Sequence, residues 1–331
     1  MNEEFIPSIS NEELNKSIET ITKLRNYFSE RIVGQQDLQI SLLICLLANG
    51  HILLESVPGL AKTTAAKVIT SAVNGTFSRI QCTPDLLPSD IIGTQIFNYQ
   101  NNEFETKLGP VYANFVLLDE INRSSSKTQS AMLEAMQERQ ITINGKNYQL
   151  PEIFIAIATQ NPIEQEGTYL LAEAQLDRFL IKEKLDYPKI FEEVEILNRL
   201  ENNIFETNES ILDLNDILFL QNITKKVYID ASIKQYIARI IYATRYPNNF
   251  IPENLANYIN LGASTRGSIA FMECAKAYAL LNGRTYVIPD DIKAVRYGVL
   301  RHRISLSFSA IADNVSVEAI IDAIVGAIQT P

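Results

Sequence analysis

The chain has 331 residues, 46% of them hydrophobic and 21% charged, which suits a soluble globular protein of two domains better than one with a single core. Its net charge of −10, with no Lys/Arg run longer than two, disfavours a dedicated nucleic-acid surface. The acidic start Met1-Asn2-Glu3-Glu4-Phe5 is no secretory leader, and the purest apolar run, Leu42–Ala48, is too short to span a bilayer. Three isolated cysteines (Cys45, Cys82, Cys274) read as buried thiols of a cytoplasmic protein.

In chain order, Ser10-Asn11-Glu12-Glu13 is a capping box that opens an amphipathic helix to about Phe28. A second helix, Gln36–Ala48, is expected to close at Gly50, and a strand over His51–Glu55 leads into Ser56-Val57-Pro58-Gly59-Leu60-Ala61-Lys62-Thr63-Thr64. Helix Lys62–Val73 follows. Short apolar, β-branched or aromatic strands over Phe77–Cys82, Phe115–Leu118, Phe154–Thr159 and Ile181–Leu185 then alternate with helices. That is the pattern of an α/β fold with a parallel sheet covered on both faces. Two hairpins interrupt it, one within 91–108 beside a helix and one within 139–150, where Asn144-Gly145 separates alternating strands.

After Pro188 the strand signals vanish. Helices are expected near 190–202, 214–226, 231–245, 266–282, 289–302 and 315–328, with Pro247, Pro252 and Pro289 as punctuation. The chain thus divides into an N-terminal helix (1–30) packed on the core, an α/β core (31–187) and an all-helical domain (188–331). Tyr228, Tyr236, Tyr242 and Tyr278 stand among aliphatics at helix-compatible spacing and are expected in the core. His51 and His302 are too few and too far apart for metal chemistry.

The chemistry concentrates at two strand ends. A loop whose backbone N–H groups cradle phosphates needs a Lys at its end and a hydroxyl for Mg²⁺, which Lys62 and Thr63 supply. The loop departs from G-x-x-x-x-G-K-[ST]: Ser56 and Ala61 stand at the two Gly positions and only Gly59 remains. The N–H donors survive these changes, whereas backbone freedom is reduced. Taken alone, this stretch is also compatible with an ordinary strand–turn–helix junction. The second strand end, Phe115-Val116-Leu117-Leu118-Asp119-Glu120, offers one carboxylate for a metal and a second to activate water. Asp119 could alternatively serve only as a helix cap. Loop and acid pair together argue for an ATPase.

The segment from Asp119 to Gln140, with Ile121-Asn122-Arg123 and Ser130-Ala131-Met132-Leu133-Glu134-Ala135-Met136-Gln137-Glu138-Arg139, closely resembles the MoxR family of AAA+ ATPases. So do Ala158-Thr159-Gln160-Asn161-Pro162 through Tyr169, Leu176-Asp177-Arg178-Phe179, Gly262-Ala263-Ser264-Thr265-Arg266 and Pro289-Asp290-Asp291-Ile292. The resemblance runs from Ile32-Val33-Gly34-Gln35 to Arg301-His302-Arg303 and implies an AAA+ P-loop core with two hairpin insertions, followed by a helical lid.

It also implies site roles. Val57, Pro58, Gly59, Leu60, Ala61, Lys62, Thr63 and Thr64 would bind ATP, with Val33 and Gly34 at the adenine, the latter pair equally compatible with plain loop packing. Thr63 and Asp119 would hold Mg²⁺, and Glu120 would activate water. Asn161 would be the amide sensor of the γ-phosphate, Arg178 a finger reaching a neighbour's site, and Arg266 the lid's sensor, in cis or in trans. Arg123 is a further candidate trans contact. Either of the two main arginines could instead be a surface ion-pair residue.

The resemblance further implies a homo-oligomeric, hexameric ring that remodels partner proteins, among them proteins with a von Willebrand factor A domain. Two other classes stay open at this point. One is a nucleotide-gated scaffold with negligible hydrolysis, motivated by Ser56 and Ala61. The other is a motor acting on nucleic acid or in a metal chelatase.

Overall fold

A computed structural model of the chain describes residues 9–56, 62–161, 169–201 and 210–331, with the backbone alone for 62–65. The first helix, α1 (Asn11–Arg31), starts at Ser10, whose Oγ accepts from the Glu13 N–H at 3.1 Å while its own N–H donates to Glu13 Oε2 at 2.8 Å. This is the capping box expected from sequence. The helix runs three residues past Phe28, because Tyr27 and Phe28 are buried and continue the apolar face of Ile21 and Leu24. Helix α2 (Gln36–Ala48) is apolar around most of its circumference and accordingly buried on most sides. Asn49, not Gly50, takes the left-handed position that closes it (φ 51°). Asn is the residue after Gly that tolerates this conformation best.

Strand β1 (Ile52–Ser56) precedes α3 (Lys62–Ala72) and β2 (Phe77–Gln81). A short α4 (Pro88–Ile92) leads into hairpin β3 (Gly93–Asn98) and β4 (Glu103–Leu108), and β5 (Phe115–Asp119) into α5 (Ser126–Glu138). The second hairpin pairs β6 (Gln140–Ile143) with β7 (Lys146–Gln149) through Asn144 (φ 49°) and Gly145 (φ 79°), the two positive dihedrals a two-residue hairpin turn needs. The core closes with β8 (Ile155–Gln160), α6 (Glu173–Leu176) and β9 (Ile181–Leu185).

The five core strands form one parallel sheet in the order β2-β5-β8-β1-β9. Ile52, Leu54, Phe115, Leu117, Ile155 and Ile157 point to one face, towards α1, α2 and α3. Leu53, Val116, Leu118, Ala156 and Ala158 point to the other, towards α5 and the hairpins. The central strands β1, β5 and β8 are buried on both faces, which is why they read as apolar runs. The edge strands β2 and β9, expected to be apolar as well, carry polar residues and are partly exposed. The two hairpins lie side by side: Asn144 Nδ2 donates to Gln95 Oε1 at 2.8 Å, and the hydroxyls of Thr106 and Tyr148 share a bond of 2.9 Å.

The C-terminal part comprises α7 (Ile190–Glu201), α8 (Leu214–Lys226), α9 (Ala231–Arg245), α10 (Glu253–Ala256), α11 (Thr265–Leu281), α12 (Pro289–Leu300), α13 (Phe308–Ala312) and α14 (Val317–Ala327). It is not purely helical. β10 (Ile259–Leu261) and β11 (Ser305–Leu306) form a small antiparallel pair, too short to show alternation and created by a contact between distant residues. The helices share one apolar cluster with α1, α2 and a sheet face, and Lys226 Nζ meets Glu13 Oε1 at 2.7 Å. Asp291 is buried, takes both guanidinium nitrogens of Arg284 and accepts from the Ile288 N–H, which starts α12.

Of the four tyrosines expected in the core, Tyr236 is buried and Tyr278 packs against the core, whereas Tyr228 and Tyr242 are 40% and 48% exposed. Tyr242 lies six residues beyond Tyr236 in α9, a rotation of roughly 240° that takes it off the buried face. It stacks instead on Tyr246, with ring centroids 4.6 Å apart. Tyr228 lies between α8 and α9, where its hydroxyl donates to Asp230 at 3.0 Å. All three cysteines are buried and unpaired, and no helix among the described residues is long and apolar enough to cross a membrane.

Candidate nucleotide site

In a parallel sheet every strand delivers its C-terminal residue to the same edge, so Ser56, Asp119, Gln160 and Asn161 converge there. The nucleotide-loop candidates Val57, Pro58, Gly59, Leu60 and Ala61 lie outside the described residues, as does 162–168, the sequel to Asn161. Lys62, Thr63 and Thr64 form the first turn of α3. Its N-terminus is at the edge of the sheet where the two acids emerge.

The acid pair is held by a residue that sequence reasoning passed over. The buried Thr159 donates from Oγ1 to Asp119 Oδ1 at 2.9 Å and accepts from the Glu120 N–H at 2.8 Å. One hydroxyl therefore orients the first carboxylate and fixes the backbone of the second. Its signal was available as the one polar side chain in an otherwise aliphatic buried strand, Ile155-Ala156-Ile157-Ala158-Thr159. Glu120 occupies the left-handed region (φ 57°), costly for a side chain other than Gly or Asn and frequent at functional positions. This turns the chain sharply out of β5 into the 3-10 turn Ile121–Arg123.

Three neighbours complete the cluster. Arg79 Nη2 reaches Asp119 Oδ2 at 2.6 Å, Gln81 Nε2 donates to Glu120 Oε2 at 3.2 Å, and Arg123 Nε lies 3.1 Å from the same Glu120 oxygen. Arg123, a candidate trans contact, thus pairs with Glu120 of its own chain. Arg79 and Gln81 arrive by register, since β2 runs beside β5 with Gln81 level with Asp119. The 40-residue separation hides this from sequence. Nearby Cys82, whose N–H donates to the Asp119 carbonyl at 2.9 Å, has its thiol pushed up to about 12 by burial, so it is no nucleophile.

On the neighbouring strands Glu55 accepts from Lys182 Nζ at 2.6 Å and Gln160 Nε2 at 2.7 Å. Burial opposes its ionisation, yet the Lys182 charge and these bonds hold its carboxyl below the usual range. Ile32 is core, while Val33 and Gly34 (φ 63°) sit between α2 and the β9–α7 link. Gln39 Nε2 donates to the Gly34 carbonyl at 3.0 Å and Gln35 Nε2 to Asp186 O at 2.7 Å. The Glu192 carboxylate of α7 lies so near Gly34 that a Cβ there would come within 2.4 Å of it.

Asp119 is a hard oxygen donor at the mouth of the sheet, and among the described residues no group of three His, Cys, Asp or Glu could hold a metal alone. A single carboxylate of this kind fits Mg²⁺ bound mainly by nucleotide phosphates and water, rather than a metal caged by protein.

Arg178 and Arg266 are not at this edge. Arg178 precedes β9 and lines a cavity of about 180 Å³ with Gly50, His51, Gln137 and Arg266. Gly50 and His51 lie before β1, so the cavity is at the N-terminal edge of the sheet. The five residues of β1 alone separate the two edges by about 16 Å. Arg266 Nη2 donates to Gln137 Oε1 at 3.1 Å, and the buried Arg178 Nε–H has no acceptor among the described residues. His51 forms part of the floor: its Nδ1 accepts from the Ala156 N–H at 3.0 Å, and its Nε2 donates to Met136 O at 3.1 Å. Burial, reinforced by Arg139, lowers its pKa to about 3, so it is neutral.

Comparison with known proteins agrees with this architecture. Residues 51–181 match the ATPase family associated with various cellular activities (AAA), and 253–324 match the AAA lid domain. The chain is 46% identical to Chaperone MoxR1 of Mycobacterium tuberculosis, over 91% of this chain and 79% of that protein. It is 45% identical to the uncharacterized protein YeaC of Bacillus subtilis, over 96% and 95%. The crystal structure of a putative ATPase from Cytophaga hutchinsonii superposes with a TM-score of 0.90 at 44% identity, covering 97% of both chains. With an AAA core, an AAA lid and, over 91% of its length, 46% identity to a MoxR chaperone, the chain belongs to the MoxR family of AAA+ ATPases.

Proposed function

We infer that the protein hydrolyses Mg-ATP at sites shared between subunits of a ring and uses the energy to remodel partner proteins. The observation that carries this reading is the separation of the two halves of the site. Asp119, Glu120 and Asn161 lie at one edge of the sheet, and Arg178 and Arg266 at the opposite edge about 16 Å away. Neither arginine can serve the acids of its own chain without rearrangement, whereas a head-to-tail neighbour presents them directly. Heterologous contacts of this kind close into rings, and we take the ring to be hexameric.

In this reading Val57–Ala61 and Thr64 cradle the phosphates, Lys62 binds the β- and γ-phosphates, and Val33 and Gly34 border the adenine. Thr63 and Asp119 would hold Mg²⁺, which supplies neutralisation of phosphate charge when bound. Glu120 orients a water and accepts its proton as the oxygen attacks the γ-phosphorus. The β–γ bridging bond breaks, leaving ADP and phosphate. Thr159 keeps both acids in place, and Asn161 contacts the γ-phosphate or the water. Charge spreads over the equatorial oxygens in this transfer, and the neighbour's Arg178 and Arg266 stabilise it.

The remodelling role follows from likeness to a protein named as a chaperone, and proteins with a von Willebrand factor A domain are the partner class we favour. The buried, unpaired cysteines suit a cytoplasmic setting.

The test is steady-state ATP hydrolysis against protein concentration, with Glu120→Gln and Arg178→Ala beside the wild type. Specific activity should rise with concentration and be lost in both variants. Activity per subunit that is constant on dilution and intact in Arg178→Ala would overturn the shared site. Binding of ATP without turnover at any concentration would favour a nucleotide-gated scaffold.

A further inference from the structure

The turn that carries Arg178 is held by one buried guanidinium. Arg303, just beyond α12, has a side chain only 2% exposed. Its Nε donates to Asp177 Oδ1 at 2.8 Å, its Nη2 to the carbonyls of Phe179 at 2.7 Å and Asp177 at 3.3 Å, and its Nη1 to those of Leu180 at 3.2 Å and Val299 at 2.5 Å. The neighbouring His302 adds Nε2–H to Phe179 O at 3.0 Å. The backbone is therefore gripped on both sides of Arg178, leaving the Arg178 side chain to face the cavity.

The other oxygen of Asp177 reaches Arg266. Asp177 Oδ2 accepts from Ser264 Oγ at 2.6 Å, and Ser264 is the N-cap of α11, its Oγ taking the Arg266 N–H at 3.0 Å. Arg266 Nη1 itself stands 4.0 Å from Asp177 Oδ2. One carboxylate thus precedes Arg178 in the chain and braces the first turn that carries Arg266. Asp177 Oδ1 is paired with the Arg303 guanidinium, and Glu273 is a second carboxylate lining the cavity with the two arginines. An arginine with every donor engaged in fixed geometry suits this task, where a lysine, as a point charge, does not.

We propose that the Arg303–Asp177 pair sets the spacing and orientation of Arg178 and Arg266, so that the two reach a neighbour's nucleotide as one rigid unit coupled to the lid. Arg303 and Asp177 are positioning residues, and the inference rests on the reading that both arginines act in trans. Arg303 touches neither its own nucleotide edge nor the reacting atoms, so its loss lowers turnover at the neighbour's site and spares nucleotide binding at its own.

The experiment uses the full chain in mixed assemblies. Arg303→Met, Arg303→Lys and the double variant Asp177→Asn with Arg303→Met, which leaves no lone buried charge, are assayed alone and mixed with Glu120→Gln. The last subunit lacks the water-activating acid and keeps its arginines. Alone, each variant should lose roughly tenfold or more in kcat while binding a fluorescent ATP analogue as the wild type does. Mixed with Glu120→Gln, each should regain activity, because intact arginines then meet intact acids. Arg178→Ala in the same mixture is the reference. If Arg178→Ala is rescued and the Arg303 variants are not, or if they hydrolyse ATP at the wild-type rate, the proposal is overturned. Loss of nucleotide binding in all three variants would make the pair a general folding element and also overturn it. Failure to rescue Arg178→Ala would instead bring down the trans reading underneath.

Discussion

Replacing Thr159 by Val removes one hydroxyl and almost no volume, and it acts on both acids at once. In the wild type that hydroxyl donates to Asp119 Oδ1 at 2.9 Å and accepts from the Glu120 N–H at 2.8 Å, in a site where Thr159 itself is fully buried. A hydrogen bond to a charged group contributes about 1.5–3 kcal/mol, and a buried N–H left without an acceptor costs about 1–3 kcal/mol. The Asp119 side chain retains 13% exposure and its ion pair with Arg79, so water recovers part of the first loss. A net destabilisation of about 2–4 kcal/mol is expected. The functional effect should be larger than this suggests. Glu120 is held at φ 57°, and once its N–H is released it relaxes from that strained position. Misplacement of a reacting group by about 1 Å lowers rate roughly 100-fold. Urea denaturation followed by circular dichroism reads the first quantity and steady-state phosphate release the second, with Thr159→Ser as the variant that restores the hydroxyl. A Thr159→Val protein that turns over ATP within about twofold of wild type, or a Thr159→Ser protein as impaired as Thr159→Val, would refute the assignment.

Arg79→Met should tighten the dependence of ATP hydrolysis on Mg²⁺ several-fold, because Arg79 competes for Asp119 Oδ2 and a half-exposed ion pair contributes at most about 1 kcal/mol; a magnesium titration checks it. Stability should fall as pH drops below about 6.5. The reason is that His51 is depressed to about 3, mainly by burial, and His302 is lowered well below its usual value for the same reason. The folded protein keeps both rings neutral and the unfolded chain takes up the protons, so stability is complete above the unfolded pKa. Below it, each histidine removes up to about 1.4 kcal/mol per pH unit. Denaturation midpoints at pH 7.5 and 5.5 should differ less in His51→Gln than in wild type. Gly145→Ala should cost about 1 kcal/mol through its positive φ alone, since no atom lies within 4 Å of the added carbon, and nucleotide binding should be unaffected.

Much of the core was legible because its signals are local. The Ser10–Glu13 capping box, the Asn144-Gly145 turn, the apolar runs of β5 and β8 and the acids ending β5 each depend on residues a few positions apart. The parts that sequence reading missed depend on contacts between distant residues. Thr159 reads as one more strand residue until β8 lies beside β5 and its hydroxyl meets Asp119. Arg303 has no role legible in the sequence until the segment after α12 docks on the turn before β9. The β10–β11 pair leaves no trace because two or three residues cannot display a period.

By itself, the sequence determined most of the elements and the chemistry they carry, the β10–β11 pair excepted. Dihedral preference, capping and hydrophobic period act over a few residues, and strand ends rich in Lys, Thr, Asp and Glu follow from them. Only the tertiary structure decided which of those groups share an edge. A parallel sheet sends every strand's C-terminus one way, so it gathers Asp119, Glu120 and Asn161 and sets Arg178 and Arg266 at the far end. That separation is a property of strand direction and register, which no residue encodes alone, and the proposed sharing of a site between subunits rests on it.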